Sequence, residues 1–78
     1  MLVDVRTVDE YNSGHADYAI NIPSDDIDLN RFDKGKKIFL YCRSGNRSML
    51  VENELSQKDY IAYNVGGYYD VIDVMNEA

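Results

Sequence analysis

The sequence predicts a small α/β domain with a central parallel sheet of about four strands flanked by helices. Three observations lead to this prediction. Short β-forming runs alternate along the chain with segments of helical character. One of these runs, 37–41 (KIFLY), is nearly all apolar, as expected of a strand buried on both faces of a parallel sheet. The length of 78 residues suits a single domain over 1–78. The connections between its parallel strands are expected to be right-handed crossovers.

The elements before the apolar strand are expected to be short. Residues 2–5 (LVDV) form the first predicted strand. Thr7 and Glu10 make a capping-box pattern for a brief helix that Gly14 can end. Residues 18–23 end at the single proline and are predicted to be a short strand or extended segment.

Three helices and one more strand complete the prediction. The first helix spans 24–32, with Ser24 as its N-cap. The next spans 48–59, the strand covers 60–65 up to a break at the two following glycines, and the last helix covers 68–78. Apolar residues are expected to face inward from these helices; they are Ile27, Leu29, Met49, Leu50, Val51, Leu55, Val71, Ile72 and Met75.

Composition and charge exclude several classes of function. A net charge of -6 argues against a nucleic-acid partner or an anionic membrane surface. One cysteine allows no intramolecular disulfide, and with one histidine it cannot build the usual four-ligand zinc site. No apolar run is long enough for a membrane span, and no signal peptide is recognised. A reducing, cytoplasmic location is therefore expected.

The cysteine has unusual neighbours. Cys42 follows the apolar strand, at the sheet edge where α/β proteins bind ligands. Arg43 and Arg47 flank a loop in which Gly45 and Asn46 tolerate positive φ. Such a loop, followed by a helix N-terminus, can form a nest of amides for an anion and favour the thiolate. The plain alternative is a small buried cysteine that only ends a strand.

Three motifs together resemble one known family. The segment 41–48 (YCRSGNRS) is similar to the active-site loop of the rhodanese-like sulfurtransferases. The segments 2–23 and 63–68 (YNVGGY) are similar to the family's first strand with its Gly-His segment and to its Gly-Gly segment. Many members begin with an additional strand and helix, so the sheet is expected to be smaller and the domain shortened at its N-terminus.

The resemblance implies a sulfurtransferase. Cys42 would be the nucleophile that takes a sulfane sulfur from a small anionic donor such as thiosulfate. The resulting persulfide would pass it to cyanide, to a thiol or to a partner protein, without cofactor or metal, in a protein expected to be a monomer. The substrate-binding cradle implied by the resemblance consists of Arg43, Ser44, Gly45, Asn46, Arg47 and Ser48.

Two other functions are weighed against this one. The spacing from Cys42 to Arg47 is C-x4-R, whereas cysteine phosphatases, with arsenate reductase as a related possibility, resemble C-x5-R. The shorter loop favours a single sulfur atom over a tetrahedral phosphate. A non-catalytic persulfide carrier or redox-sensing module is the second alternative, and it would react once instead of turning over.

Four residues outside the loop receive structural interpretations. His15 is expected to make a structural hydrogen bond, since transfer of sulfur between thiolates needs no base. Asp4 and Arg6 lie on one strand face and are expected to form an ion pair, with a place at the rim of the site as the alternative for Arg6. Tyr41 is expected at a strand end, with its hydroxyl in water.

Overall fold

The computed structural model describes the backbone of residues 1–77 and the side chains of residues 1–74. Four parallel strands form one sheet in the order β2-β1-β3-β4, so the predicted α/β class with a central parallel sheet is confirmed. In chain order the elements are β1 (Leu2–Asp4), α1 (Val8–Asn12), β2 (Ile20–Asn21), a 3₁₀ turn (Leu29–Arg31), β3 (Lys37–Cys42), α2 (Asn46–Gln57), β4 (Ile61–Gly67) and α3 (Tyr68–Glu77).

The main hydrophobic core lies between α2 and one face of the sheet. Ile38, Leu40 and Cys42 alternate along β3 and point to this face, where they meet Val51 and Leu55 of α2. All five are almost completely buried. Every second side chain of a strand points to the same face of the sheet. Cys42 therefore points to the same face as the apolar Ile38 and Leu40.

The other face of the sheet is covered only in part by the described residues. Tyr41 is fully buried there, against Ala16, Ala19 and residues of α3. Phe39, on the same face, stacks on Tyr63 of β4 and remains 38% exposed. The prediction of a strand buried on both faces therefore holds for the end of β3 near Cys42 and fails at Phe39.

The predicted helix over 24–32 is wrong. This segment contains only the 3₁₀ turn, and its N-cap is Asp28, whose carboxylate accepts from the backbone N–H of Asn30. The backbone N–H of Ser24 donates instead to the carbonyl of Val5, which continues the pairing beside β1. Aspartates compete with helical hydrogen bonds by accepting locally from the backbone, and this competition outweighs the cap pattern.

The register of α2 and the end of β4 also differ from prediction. The buried positions of α2 are Ser48, Val51 and Leu55, spaced as one helical face, whereas Met49 and Leu50 are 47% and 65% exposed. β4 continues through both of its glycines instead of breaking at them.

Other predictions for the helices fare better. The capping box of α1 is confirmed, with the Thr7 and Glu10 side chains each accepting from the other's backbone N–H. In α3, Val71 and Ile72 pack against the Tyr41 cluster as predicted, while the side chain of Met75 lies outside the described residues. Within residues 1–77, the helices are too short or too polar to cross a bilayer.

Candidate active site

The thiol of Cys42 lies at the carboxyl end of β3, inside the loop that leads to α2. Its residue is only 1% exposed. The backbone N–H of Gly45 donates to Sγ at 3.0 Å, and the hydroxyl of Ser48 lies 3.5 Å from the same sulfur. The sulfur atom is therefore enclosed by donors from the loop and from the first turn of α2.

The loop curls at one residue. Gly45 is the N-cap of α2 and has a φ of +94°, a left-handed conformation that a side chain would strain. Asn46, which the sequence also permits at positive φ, is instead the first residue of the helix. The helix thus begins two residues earlier than predicted, and the backbone N–H of Ser48, one of its free N-terminal amides, hydrogen-bonds to the sulfur.

Two opposing effects act on the Cys42 thiol. Burial disfavours the charged form, as for any thiol removed from water. Hydrogen bonds from the Ser48 side chain and from the backbone amides of Ser44, Gly45 and Ser48 outweigh burial and hold the pKa of Cys42 below its ordinary value. These hydrogen bonds are therefore arranged to stabilise a sulfur anion.

Arg47 has a specific partner that the sequence does not reveal. Its guanidinium donates to both carboxylate oxygens of Glu10 in α1, at 2.7 and 3.0 Å. This pairing raises the pKa of Arg47 and lowers that of Glu10 to about 2. Glu10 was recognised only as a capping residue, and it serves in both roles. The charge of Arg47 is thus largely committed to fixing α2 against α1.

Arg43 is placed differently. It is exposed and forms no ion pair with the residues that the structure describes. It lines a cavity of about 470 Å³ together with Arg6, Tyr68 and Tyr69. Acidic side chains of α1 contribute the remainder of the charged wall. Arg43 is therefore the loop cation that a ligand in this cavity can contact.

Asn64 of β4 connects the strand to the loop, and sequence reasoning missed it. Its Nδ2 donates to the carbonyl of Gly45 at 3.0 Å, and its Oδ1 accepts from the backbone N–H of Gly66 at 3.0 Å. The Ser48 hydroxyl also lies 2.7 Å from Asn64 Oδ1. Asn64 lies in the segment 63–68 that resembles the family's Gly-Gly segment, but a single sequence assigns it no role there, because an asparagine near two glycines is typical of an ordinary turn.

The close approach of β4 to the loop depends on a second glycine. A Cβ at Gly67 would lie 2.6 Å from the carbonyl oxygen of Arg43, a distance that real contacts do not reach. Gly67 therefore lets β4 pass directly beside the residue that follows Cys42, and it belongs to the site although it carries no side chain.

The predicted ion pair of Asp4 and Arg6 is present and buried. Their side chains meet at 2.6 Å, and Arg6 donates further to the carbonyl of Gly14. Arg6 also lines the cavity, so both interpretations apply to it. His15 stacks on the ring of Tyr11, and its Nδ1 lies 2.9 Å from the Ala16 carbonyl, which agrees with a structural role.

The prediction for Tyr41 is right about its place at the end of a strand and wrong about its hydroxyl. Its hydroxyl is buried instead of wet, and it accepts from the backbone N–H of Ala16 at 3.0 Å. Burial raises its pKa to about 12. The tyrosine thus fixes the Gly-His segment to β3. In the part of the chain that the structure describes, no cluster of histidine, cysteine and acidic residues is suited to a metal ion.

The chain is similar to known proteins in both sequence and fold. The chain is 33% identical over 67 residues to a tRNA sulfurtransferase of Desulfurococcus amylolyticus, covering 86% of this chain and 14% of the relative. It is 42% identical over 55 residues to a tRNA uridine(34) hydroxylase of Sodalis glossinidius, covering 60% and 16%. The chain thus spans less than a fifth of the length of these curated relatives.

A solved structure agrees with the sequence relatives. The fold superimposes on a rhodanese-like domain protein from Staphylococcus aureus with a TM-score of 0.82 and 36% identity, covering 90% of this chain and 71% of that one. The family model of the rhodanese-like domain matches residues 1–75, nearly the full length. On this evidence the chain belongs to the family of rhodanese-like domains.

Proposed function

We propose that this chain is a sulfurtransferase that carries sulfane sulfur as a persulfide on Cys42. The observation that carries the proposal is the donor shell around Sγ, with the Gly45 N–H at 3.0 Å and the Ser48 hydroxyl at 3.5 Å. An anionic sulfur is stabilised there by backbone dipoles that the loop already holds in place, together with the Ser48 hydroxyl. An inert structural cysteine has no use for such a shell.

The chemistry divides into two displacements. The Cys42 thiolate attacks the sulfane sulfur of a donor such as thiosulfate, a new S–S bond forms, and the old S–S bond breaks with its electron pair leaving on sulfite. Cyanide in an assay, or a thiolate in the cell, then attacks the terminal sulfur of the persulfide. Cys42 departs as thiolate, so both steps begin and end with an anion in the same cradle. No proton, cofactor or metal takes part.

The cradle residues have unequal parts in this scheme. The proposed cradle runs from Arg43 to Ser48, and within it the backbone amides of Ser44, Gly45 and Ser48 hydrogen-bond to the Cys42 sulfur. Arg43, exposed at the cavity, is the side chain that contacts an incoming oxyanion. Arg47, bound to Glu10, serves mainly to hold α2 and its amides in place.

The acceptor is proposed to be a thiol, on a small molecule or a partner protein. The relatives are named for tRNA modification, yet they are whole proteins of which this chain spans less than a fifth. A net charge of -6 does not favour RNA docking by this chain alone. Transfer to the cysteine of a partner protein is compatible with both facts.

Steady-state transfer from thiosulfate to cyanide tests the proposal. Wild-type protein should turn over many times, and Cys42→Ser should be inactive. Arg43→Gln should lower kcat/KM for thiosulfate about tenfold or more, because it removes a charge-assisted contact. Lys58→Gln is the control with the same change of charge, since Lys58 pairs with Glu54 on the surface of α2. A single loading without turnover would identify the chain as a carrier or sensor module instead.

A further inference from the structure

The side chain of Ser48 faces three acceptors with one proton. Its Oγ lies 2.7 Å from Asn64 Oδ1, 3.2 Å from the Gly45 carbonyl and 3.5 Å from Cys42 Sγ. Ser48 is fully buried, so water does not compete for the proton. A hydroxyl donates one hydrogen bond at a time, and the distances favour Asn64 as the acceptor when the sulfur is uncharged.

Neither competing acceptor depends on Ser48. Asn64 Oδ1 also accepts from the backbone N–H of Gly66 at 3.0 Å. The Gly45 carbonyl also accepts from Asn64 Nδ2 and from the backbone N–H of Met49, both at 3.0 Å. When the hydroxyl rotates toward the sulfur, it therefore leaves no buried acceptor without a partner, and the usual penalty for that is avoided.

We propose that Asn64 is a positioning residue that holds the Ser48 hydroxyl while Cys42 Sγ is uncharged and releases it to Sγ when the thiolate forms. Hydrogen bonds to charged acceptors are about twice as strong as neutral ones, so a charge on Sγ is sufficient to turn the hydroxyl. The same asparagine orients the loop through Gly45, which keeps the hydroxyl within reach of both partners.

This arrangement would bias the sulfur-transfer cycle, a consequence that rests on the proposed function. In the persulfide, the negative charge lies on the terminal sulfur and no longer on Sγ. The hydroxyl then returns to Asn64. Ser48 thus stabilises the Cys42 thiolate more than the persulfide, which assists the step in which that thiolate is the leaving group.

Other charged groups belong to the loop and to the helices packed around it, and they stay unchanged in the test. They are Arg43 in the loop, Arg47 and Glu52 on α2, Glu10 on α1 and Asp70 on α3. Glu52 accepts from the backbone N–H of Asn64, so substitution of the Asn64 side chain leaves that bond in place.

The rate of Cys42 alkylation by iodoacetamide, measured against pH in the full chain, reports the thiolate directly. Ser48→Ala should raise the Cys42 pKa. Asn64→Leu should lower the Cys42 pKa by roughly half to one unit, which is about a three- to tenfold gain in thiolate at a pH below the pKa. The reason is that the Ser48 hydroxyl no longer has to break a hydrogen bond to Asn64 before it donates to the sulfur. In the Ser48→Ala background, Asn64→Leu should no longer lower the Cys42 pKa.

Controls separate this role from mere support of the loop. Asn21→Leu removes an asparagine that also makes two hydrogen bonds to the backbone, from its Nδ2 to the carbonyls of Asp4 and Arg6 at the opposite edge of the sheet. It should leave the Cys42 pKa unchanged. If Asn64→Leu does not fold, Asn64→Asp provides the test. Its carboxylate should bind the Ser48 hydroxyl more strongly than the amide does, and it should therefore raise the Cys42 pKa. Its rise in pKa should be larger with Ser48 present than in the Ser48→Ala background.

The proposal is overturned if Asn64→Leu raises the pKa or leaves it unchanged, or if its shift persists at full size without Ser48. An Asn64→Asp shift that is equal in both backgrounds would also overturn it. Alkylation requires no sulfur donor. A protein that accepts no sulfur yet shows the predicted pattern would refute the proposed function alone.

Discussion

The ion pair of Glu10 and Arg47 provides a sharp prediction about stability. Glu10→Gln removes the charge but keeps the capping box, because glutamine accepts from the Thr7 N–H as glutamate does. The pKa of Glu10 falls from an ordinary 4.5 to about 2, first because of its hydrogen bonds with Arg47. Taken at face value that shift corresponds to about 3 kcal/mol, but both side chains are about one-third exposed, at 30% and 34%. Solvent screening reduces the expected loss to about 1 kcal/mol.

The pH dependence follows from the sign of the shift. A carboxylate with a lowered pKa stabilises the fold above its unfolded pKa and loses that contribution as the pH falls through the folded value. The difference between wild type and Glu10→Gln should be complete at pH 7 and should fade between pH 4.5 and about pH 2. In thermal denaturation at pH 7, a loss of about 1 kcal/mol lowers the Tm of a domain of this size by about 4–8 °C. Equal stability at pH 7, or a gap that stays constant down to pH 2, would refute this reasoning.

Two further substitutions test the packing around the site. Gly67→Ala places a Cβ 2.6 Å from the Arg43 carbonyl oxygen. Urea denaturation should therefore show that the free energy of unfolding falls by about 1–3 kcal/mol, and Cys42 should be alkylated more slowly. The control is Gly35→Ala, whose nearest contact is at 3.5 Å and whose stability should stay within about 0.5 kcal/mol of wild type. Unchanged stability of Gly67→Ala would show that β4 can move away from the loop. Tyr41→Phe leaves the buried Ala16 N–H without an acceptor and should lower the free energy of unfolding by about 1–3 kcal/mol. The control is Tyr63→Phe, which should leave stability unchanged because Tyr63 is 46% exposed. Equal effects of the two substitutions would contradict the role given to the Tyr41 hydroxyl.

The sequence predicted those features that depend on local pattern. The apolar run of β3 and the alternation of strands with helices were sufficient to predict a parallel sheet. They also allowed Cys42 to be placed at the carboxyl edge of that sheet. The position of the loop also followed, because it depends only on the end of one strand and the start of one helix. The capping box of α1 was predictable for the same reason, since its partners are three residues apart.

The features that were missed depend on contacts between distant segments. Glu10 meets Arg47 across 37 positions, and Ser48 meets Asn64 across 16. Neither pair has a pattern in a single sequence. The helix predicted over 24–32 failed because local aspartate hydrogen bonds and pairing beside β1 competed with the cap pattern. The error in the stripe of α2 has a related cause, since the buried polar Ser48 takes a position that hydrophobicity assigns to Met49 or Leu50.

The central claim is that Cys42 carries sulfur as a persulfide, and intact-mass measurement tests it most directly. Wild-type protein incubated with thiosulfate should gain the mass of one sulfur atom and lose it on addition of cyanide, with thiocyanate as the product. Cys42→Ser should gain nothing. A wild-type protein that gains no sulfur from thiosulfate or from a small persulfide, while its Cys42 remains open to alkylation, would contradict the claim.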